Sequence, residues 1–271
     1  MTTTRPVDMR SLSGNEEVRV EWLLQAGFLI SRQGEAVAID PYLSDLCQRV
    51  HGLTRARSAP YDGSDLPASL VLVSHWHEDH LDIDAAVDLA SRGIPFAGPP
   101  SCRARFVALG LPGDLFTELR PGESITVGSI TATATPAVHR VPGYLTEDAV
   151  GFVVSMDGTH VFHTGDSEYH RNIPEFLADW QLAAALVCVN GTGGNMNVLE
   201  AATLVAQLNV DVAVPMHFGL WESEDQSLPA ALSAEFAQVL QALAPSVVAR
   251  QPVAGEPFSL PLRPDRGARP A

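Results

Sequence analysis

Three histidines and an aspartate fall within His75-Trp76-His77-Glu78-Asp79-His80, directly behind the apolar run Leu70-Val71-Leu72-Val73. The run has the length and composition of a buried strand. Imidazoles and a carboxylate crowded at such a strand end are costly to desolvate unless a cation holds them together. A divalent metal ion does so, because neutral imidazole nitrogens and carboxylate oxygens are among its preferred ligands. In an extended chain His75 and His77 point to the same side and can pinch one ion. Asp79 and His80 come one turn later and can face a second. The bland alternative is a polar surface cluster opening a helix, with Asp79 or Asp82 near its N-terminus.

The pattern His75-x-His77-x-Asp79-His80 after a hydrophobic strand resembles the signature of the metallo-β-lactamase superfamily. Three further positions stand just past strand-like runs: His139 in Thr135-Pro136-Ala137-Val138-His139, Asp166 in Thr164-Gly165-Asp166-Ser167, and His217 in Val214-Pro215-Met216-His217. Singly, Gly165-Asp166 is an ordinary turn, His139 a capped or solvated histidine and His217 a packed core residue; the ordered set carries the resemblance. It implies that His75, His77 and His139 hold a first divalent ion, that Asp79, His80 and His217 hold a second, and that Asp166 bridges both. The implied chemistry is hydrolysis. A hydroxide shared by the two ions attacks a carbonyl or phosphoryl centre and the ions steady the developing oxyanion, with no nucleophilic serine or cysteine. Asp166 would fix the separation and Asp79 orient the water. His51, His160, His163 and His170 fall off the pattern; His51 reads as a solvated loop residue and His163 as a strand residue packed beneath the site.

Asp79-His80-Leu81-Asp82, Pro95-Phe96-Ala97-Gly98-Pro99, Arg120-Pro121-Gly122-Glu123, Gly165-Asp166-Ser167-Glu168-Tyr169 and Pro215-Met216-His217-Phe218-Gly219-Leu220-Trp221 further resemble the L-ascorbate-6-phosphate lactonases and their relatives. That implies opening of a lactone, or cleavage of an ester, in a small sugar-like and phosphorylated substrate, by an oligomeric enzyme in which manganese takes part. His139 follows the wider superfamily, where these lactonases are expected to carry an aspartate. The donor set suits two zinc or manganese ions, and iron after them. A phosphate needs a cation other than the metal, and Arg140 and Arg171 are the candidates, since a guanidinium fork matches a phosphate. Tyr169 and Trp221 complete the expected substrate contacts, while Trp76 and Trp221 either wall the pocket or pack in the core. The alternatives are a phosphodiesterase acting on a small phosphodiester, an iron-dependent redox enzyme on the same fold, and a non-catalytic metal-binding module.

Composition narrows the classes. The 271 residues suffice for one large domain, and 46% of them are hydrophobic. The net charge of −15 repels polyanions, so a small-molecule substrate is expected and nucleic acid is not. All 17 basic residues are arginine. Without lysine there is no Schiff-base chemistry, no pyridoxal anchor and no Walker-type phosphate loop. Residues 1–17 lack a basic and an apolar signal-peptide region, and no apolar run approaches the ~20 residues of a membrane span. Cys47, Cys102 and Cys188 are scattered, as in a reducing compartment, so a cytoplasmic protein is expected.

The elements that must position these residues follow from periodicity. Val18 to Ile30 reads as two short strands and Ala36 to Ile39 as a third; Leu43 to Asp65 reads as an irregular loop. Helices are expected over 83–92, 101–109, from Asn197 as N-cap to Leu208, and over 228–243. Strands are expected at 94–98, 115–119, 124–127, 130–136, 182–189, 210–215 and 247–251. A hairpin is expected over 149–164 about Asp157-Gly158. This alternation gives two halves, roughly 18–120 and 121–260, and by itself says only α+β or α/β. The resemblance implies a four-layer αββα sandwich as a single domain over 18–261, with flexible ends at 1–17 and 262–271.

Overall fold

The computed structural model describes residues 17–223 and 228–260. The ends expected to be flexible, Glu17 excepted, and the last residue of the expected domain lie outside that range.

The first half of the chain builds one sheet. Strands β1 (Val18–Trp22), β2 (Phe28–Arg32) and β3 (Glu35–Ile39) form an antiparallel meander, followed by the short helix α1 (Leu46–His51). Strand β4 (Leu70–Leu72), helix α2 (Ile83–Ser91), strand β5 (Phe96–Gly98), helix α3 (Pro100–Ala108) and strand β6 (Phe116–Glu118) extend that sheet in parallel. The second half begins with β7 (Ser124–Val127) and β8 (Ile130–Pro136), then a separate small hairpin, β9 (His139–Val141) with β10 (Tyr144–Thr146). It continues through β11 (Val150–Met156), β12 (Thr159–His163), α4 (Asn172–Phe176), β13 (Leu182–Cys188), α5 (Val198–Val205), β14 (Val210–Met216), α6 (Leu228–Leu243) and β15 (Val248–Ala249). Strand β16 (Phe258–Leu260) returns to pair with β1. The sheet orders are β16-β1-β2-β3-β4-β5-β6 and β15-β14-β13-β12-β11-β8-β7.

Strand alternation explains the layers. Val37, Ile39, Leu70 and Leu72 pack with Ala132, Ala134, Phe152 and Val154 of the other sheet, so the two sheets share one core. Their neighbours Ala36, Ala38, Val71 and Val73 point the other way, onto Ala85, Leu89, Cys102 and Phe106 of α2 and α3. Every residue of β13 is buried, and Ala201, Leu204, Val205, Phe236 and Leu240 of α5 and α6 join the same core. The result is the four-layer αββα sandwich.

Short-range chemistry fixes the parts nearest the site. Asp82 caps α2, accepting from Asp84 N and Ala85 N. The same carboxylate accepts from Leu43 N, Ser44 N and Ser44 Oγ, and so ties the loop after β3 to the segment that carries the histidines. Asp157 and Gly158 both have positive φ, 45° and 76°, as the tight hairpin expected there requires. The 43–65 segment contains α1, which periodicity did not show, and β9–β10, α4 and β16 were not anticipated either. Each is short, and β16 owes its existence to β1 at the other end of the chain. Among the described residues no helix is long and apolar enough to cross a membrane.

Candidate metal centre

The ends of four strands meet at one place. The chain leaving β4 carries His75, His77, Asp79 and His80; the segment after β8 leads to His139; β12 leads to Asp166 and β14 to His217. Three sets of ligand atoms lie within 4.8 Å of one another: His75, His77 and His139; His75, His80 and Asp166; and Asp79, His80 and His217. His75 Nε2 is 2.9 Å and His139 Nε2 3.3 Å from His77 Nδ1. Asp166 Oδ2 lies 3.0 Å from His217 Nε2, 3.4 Å from His80 Nε2 and 3.8 Å from His139 Nε2. The seven side chains singled out in the sequence therefore form one cluster.

What aims four of the imidazoles is the other ring nitrogen. His77 Nε2 donates to Tyr144 O at 3.2 Å and His139 Nδ1 to Gly194 O at 3.4 Å, since a carbonyl only accepts. Asp40, wholly buried, accepts from His80 Nδ1 at 2.8 Å, from Ser74 Oγ at 2.6 Å and from Ser74 N at 2.7 Å. With its proton given to Asp40, the Ser74 hydroxyl accepts from His75 Nδ1 at 3.0 Å. In a neutral imidazole each of these contacts puts the proton on the outer nitrogen and leaves the inward one able to bind a metal. On the acid side, Gln25 Nε2 donates to Asp79 Oδ2 at 2.8 Å and Asn195 Nδ2 to Asp166 Oδ2 at 2.9 Å. The backbone bends sharply here: Gln25, Asp40 and His217 all have positive φ, a conformation that non-glycine residues hold mainly where the surroundings impose it.

The charges separate into two poles. Burial holds the pKa of His75 well below the usual imidazole value and lowers those of His77 and His139. For His80 burial acts the same way, but the carboxylates of Asp166, Asp40 and Asp79 outweigh it and raise its pKa well above the ordinary value. His217 is likewise raised, against burial, chiefly by Asp166. Burial works against charge on Asp79 and Asp166 as well, yet His80 and His217 lower both, Asp166 the more strongly. Two ligand atoms, His80 Nε2 and Asp166 Oδ1, are shut off from solvent with no hydrogen-bond partner. Buried polar atoms are rarely left so. A metal ion is the partner that a bare imidazole nitrogen and a carboxylate oxygen both fit.

A cavity of about 410 Å³ opens beside the cluster. His77, Asp79, His139, Asp166, His217 and Trp221 are among its lining residues. Arg140, Tyr169 and Arg171 are not. Arg140 is exposed and lies 3.7 Å from Glu168, Tyr169 exchanges hydrogen bonds with Gln207, and Arg171 is an exposed residue before α4. Arg140 follows buried His139 on an extended strand, so its side chain points to the opposite face. Trp76 is outside the lining too, with Arg105 over its ring at 3.6 Å and its ring stacked on that of Tyr144. His51, expected to be solvated, lines the cavity and lies 3.1 Å from Glu78. His163 is buried beneath the site as expected, accepting from Gly165 N and donating to Ala26 O. Asp40, Gln25 and Asn195 were missed; the first two are lone polar residues at the end of an apolar run, and Asn195 closes a glycine-rich loop.

The model of the Beta-lactamase superfamily domain matches residues 19–217, most of the chain. The chain belongs to the metallo-β-lactamase superfamily. Within it, the chain is 30% identical over 218 residues to a UPF0173 metal-dependent hydrolase of Methanopyrus kandleri, covering 77% of this chain and 87% of that one. It is 27% identical over 175 residues to a probable L-ascorbate-6-phosphate lactonase of Salmonella choleraesuis. That match takes in 56% of this chain and spans 49% of the lactonase, about half its length. Among solved structures, a metallo hydrolase from Ignicoccus hospitalis superposes with a TM-score of 0.68 at 21% identity, over 91% of this chain and 99% of that one, a likeness of superfamily fold.

Proposed function

We propose that this chain, a metal-dependent hydrolase by family, cleaves a carbonyl ester or lactone of a small molecule at a site built for two divalent ions. In this reading His75, His77 and His139 hold one ion, Asp79, His80 and His217 the other, and Asp166 spans them. The observation that carries it is that His80 Nε2 and Asp166 Oδ1 are buried without a hydrogen-bond partner inside a cluster of seven side chains of metal-ligating type. Zinc, manganese or iron suits such nitrogen and oxygen donors. When bound, the ions lower the pKa of water toward ~7 and polarise the substrate carbonyl.

The protein's own groups do the rest. Asp79, fixed by Gln25, is placed to orient the attacking water through its carboxylate. Asp166 is held by Asn195 and offsets positive charge between the two poles. Asp40 and Ser74 keep His75 and His80 in one tautomer, so no reorganisation is needed during turnover. Cys47 lines the cavity, but burial pushes its thiol up to about 12, so it stays protonated and is no nucleophile. The direct test is a panel of neutral esters and lactones against bis(p-nitrophenyl) phosphate, using zinc- and manganese-loaded protein. Ester or lactone turnover lost in His77→Ala and Asp166→Ala is expected. Faster cleavage of the phosphodiester would overturn the carbonyl assignment.

A further inference from the structure

The walls of the cavity bear on which carbonyl compound it takes. Leu53, Val141, Tyr144 and Trp221 give it an apolar part. The loop after β13 adds Asn190, Thr192 and Asn195, all polar and uncharged. Asn190 Oδ1 and Asn195 Oδ1 are buried with no partner. At Asn195 the amide orientation is fixed, because its nitrogen must face the Asp166 carboxylate. The Asn195 oxygen therefore calls for a donor from the occupant, and Asn190, whose amide meets only the Thr192 hydroxyl, can present either end. Outside the seven clustered residues the one carboxylate in the lining is Glu78, which faces His51.

No arginine among the described residues lines the cavity, and the chain has no lysine. Three arginines lie within two residues of a lining residue, and the first of them, Arg49, is exposed and paired with Asp84. Arg55 donates from Nε to Ser44 O at 2.9 Å and from Nη2 to Tyr42 O, with its guanidinium 4.1 Å from the centre of the Tyr42 ring. Its Nη1 is buried without a hydrogen-bond partner, and Arg55 is not among the lining residues. Arg140 is exposed beside Glu168. A phosphate monoester brings about −1.5 to −2 charges, and outside the metal positions the lining offers no arginine or lysine to pair with it. Bare amide oxygens and Glu78 offer it the opposite.

We propose that the substrate is an uncharged ester or lactone. Its apolar part lies against Leu53, Val141, Tyr144 and Trp221, its hydroxyl or amide N–H faces Asn190 and Asn195, and phosphorylated compounds are excluded. This rests on the carbonyl-hydrolase reading and narrows it, displacing the phosphorylated substrate that the lactonase resemblance implied. The test compares phenyl butyrate with phenyl 4-phosphonooxybutyrate on the metal-loaded protein. The expected kcat/KM ratio favours the neutral ester about 100-fold or more. Val141→Arg, which places a guanidinium in the wall, is expected to narrow that ratio at least about tenfold. Calorimetry with the matching unreactive N-phenyl amides separates the two claims. Preferential binding of the neutral amide without hydrolysis of either ester would overturn the hydrolase reading and sustain the substrate class. Tighter binding of the phosphorylated amide than of both the neutral amide and inorganic phosphate, or binding of neither amide, would overturn the substrate class.

Discussion

At the scale of single residues, the site depends on groups that lie behind the cluster. Asp40 sits under both His75 and His80 through one carboxylate, bonding His80 directly and His75 by way of Ser74. Asp40→Asn keeps its shape and tolerates the positive φ of 46°, but loses the charge that faces His80. Metal affinity or turnover is expected to fall by about 10–100-fold with the fold retained; unchanged affinity would show that Asp40 is only structural. The two charge poles give a second expectation, with the sign set by proton release. His75, His77 and His139 have lowered pKa values and stay neutral near pH 6.5, where a free imidazole is half protonated. His80 and His217 have raised values, so an ion must displace their protons, and its affinity falls as the pH drops below those values. Acidification should release the ion of the Asp79–His80–His217 side first, in two steps seen as metal content against pH. Release of both at once would contradict it. His75, His77, Asp79 and His80 were legible because they form a dense local pattern, whereas His139, Asp166 and His217 were legible only as an ordered set that resembles a family. Asp40, Gln25 and Asn195 were not, because each meets its partner only through the folded chain, and Asp40-Pro41 alone reads as a turn. Arg140 adjoins His139 in sequence, but strand alternation sends its side chain to the opposite face.

At the scale of elements, short loops set the geometry. The segment Asn190-Gly191-Thr192-Gly193-Gly194-Asn195 supplies the carbonyl that orients His139 and the amide that holds Asp166. Gly194 has φ of 77°, and a Cβ there would stand 2.7 Å from Arg140 O on β9. Gly194→Ala should therefore cost about 1–3 kcal/mol, read by denaturant unfolding, and loosen metal at the His139 side. Wild-type stability with unchanged metal retention would remove the argument. The alternating β8 and the long apolar β13 were legible from their patterns, α2 and α5 from periodicity and local caps, and α6 from periodicity. The hairpin of β9 and β10 was not. Its strands are three residues each and pair only with one another, too short for alternation to show.

At the scale of the molecule, the seven clustered side chains come from two sheets. His75, His77, Asp79 and His80 follow a strand of the first, and His139, Asp166 and His217 follow strands of the second. The break between the halves near residue 120 was visible in the order of strands and helices. That the halves face each other was not, because a shared core is a property of both sheets together. Ions bound here fasten one sheet to the other, so metal occupancy is the claim on which the rest stands. The most direct measurement is metal content by mass spectrometry on protein purified without chelator, for the wild type, Asp79→Ala and His139→Ala. About two equivalents of zinc, manganese or iron in the wild type and about one in each variant are predicted. A wild type without metal, or variants that keep the full complement, would contradict the account.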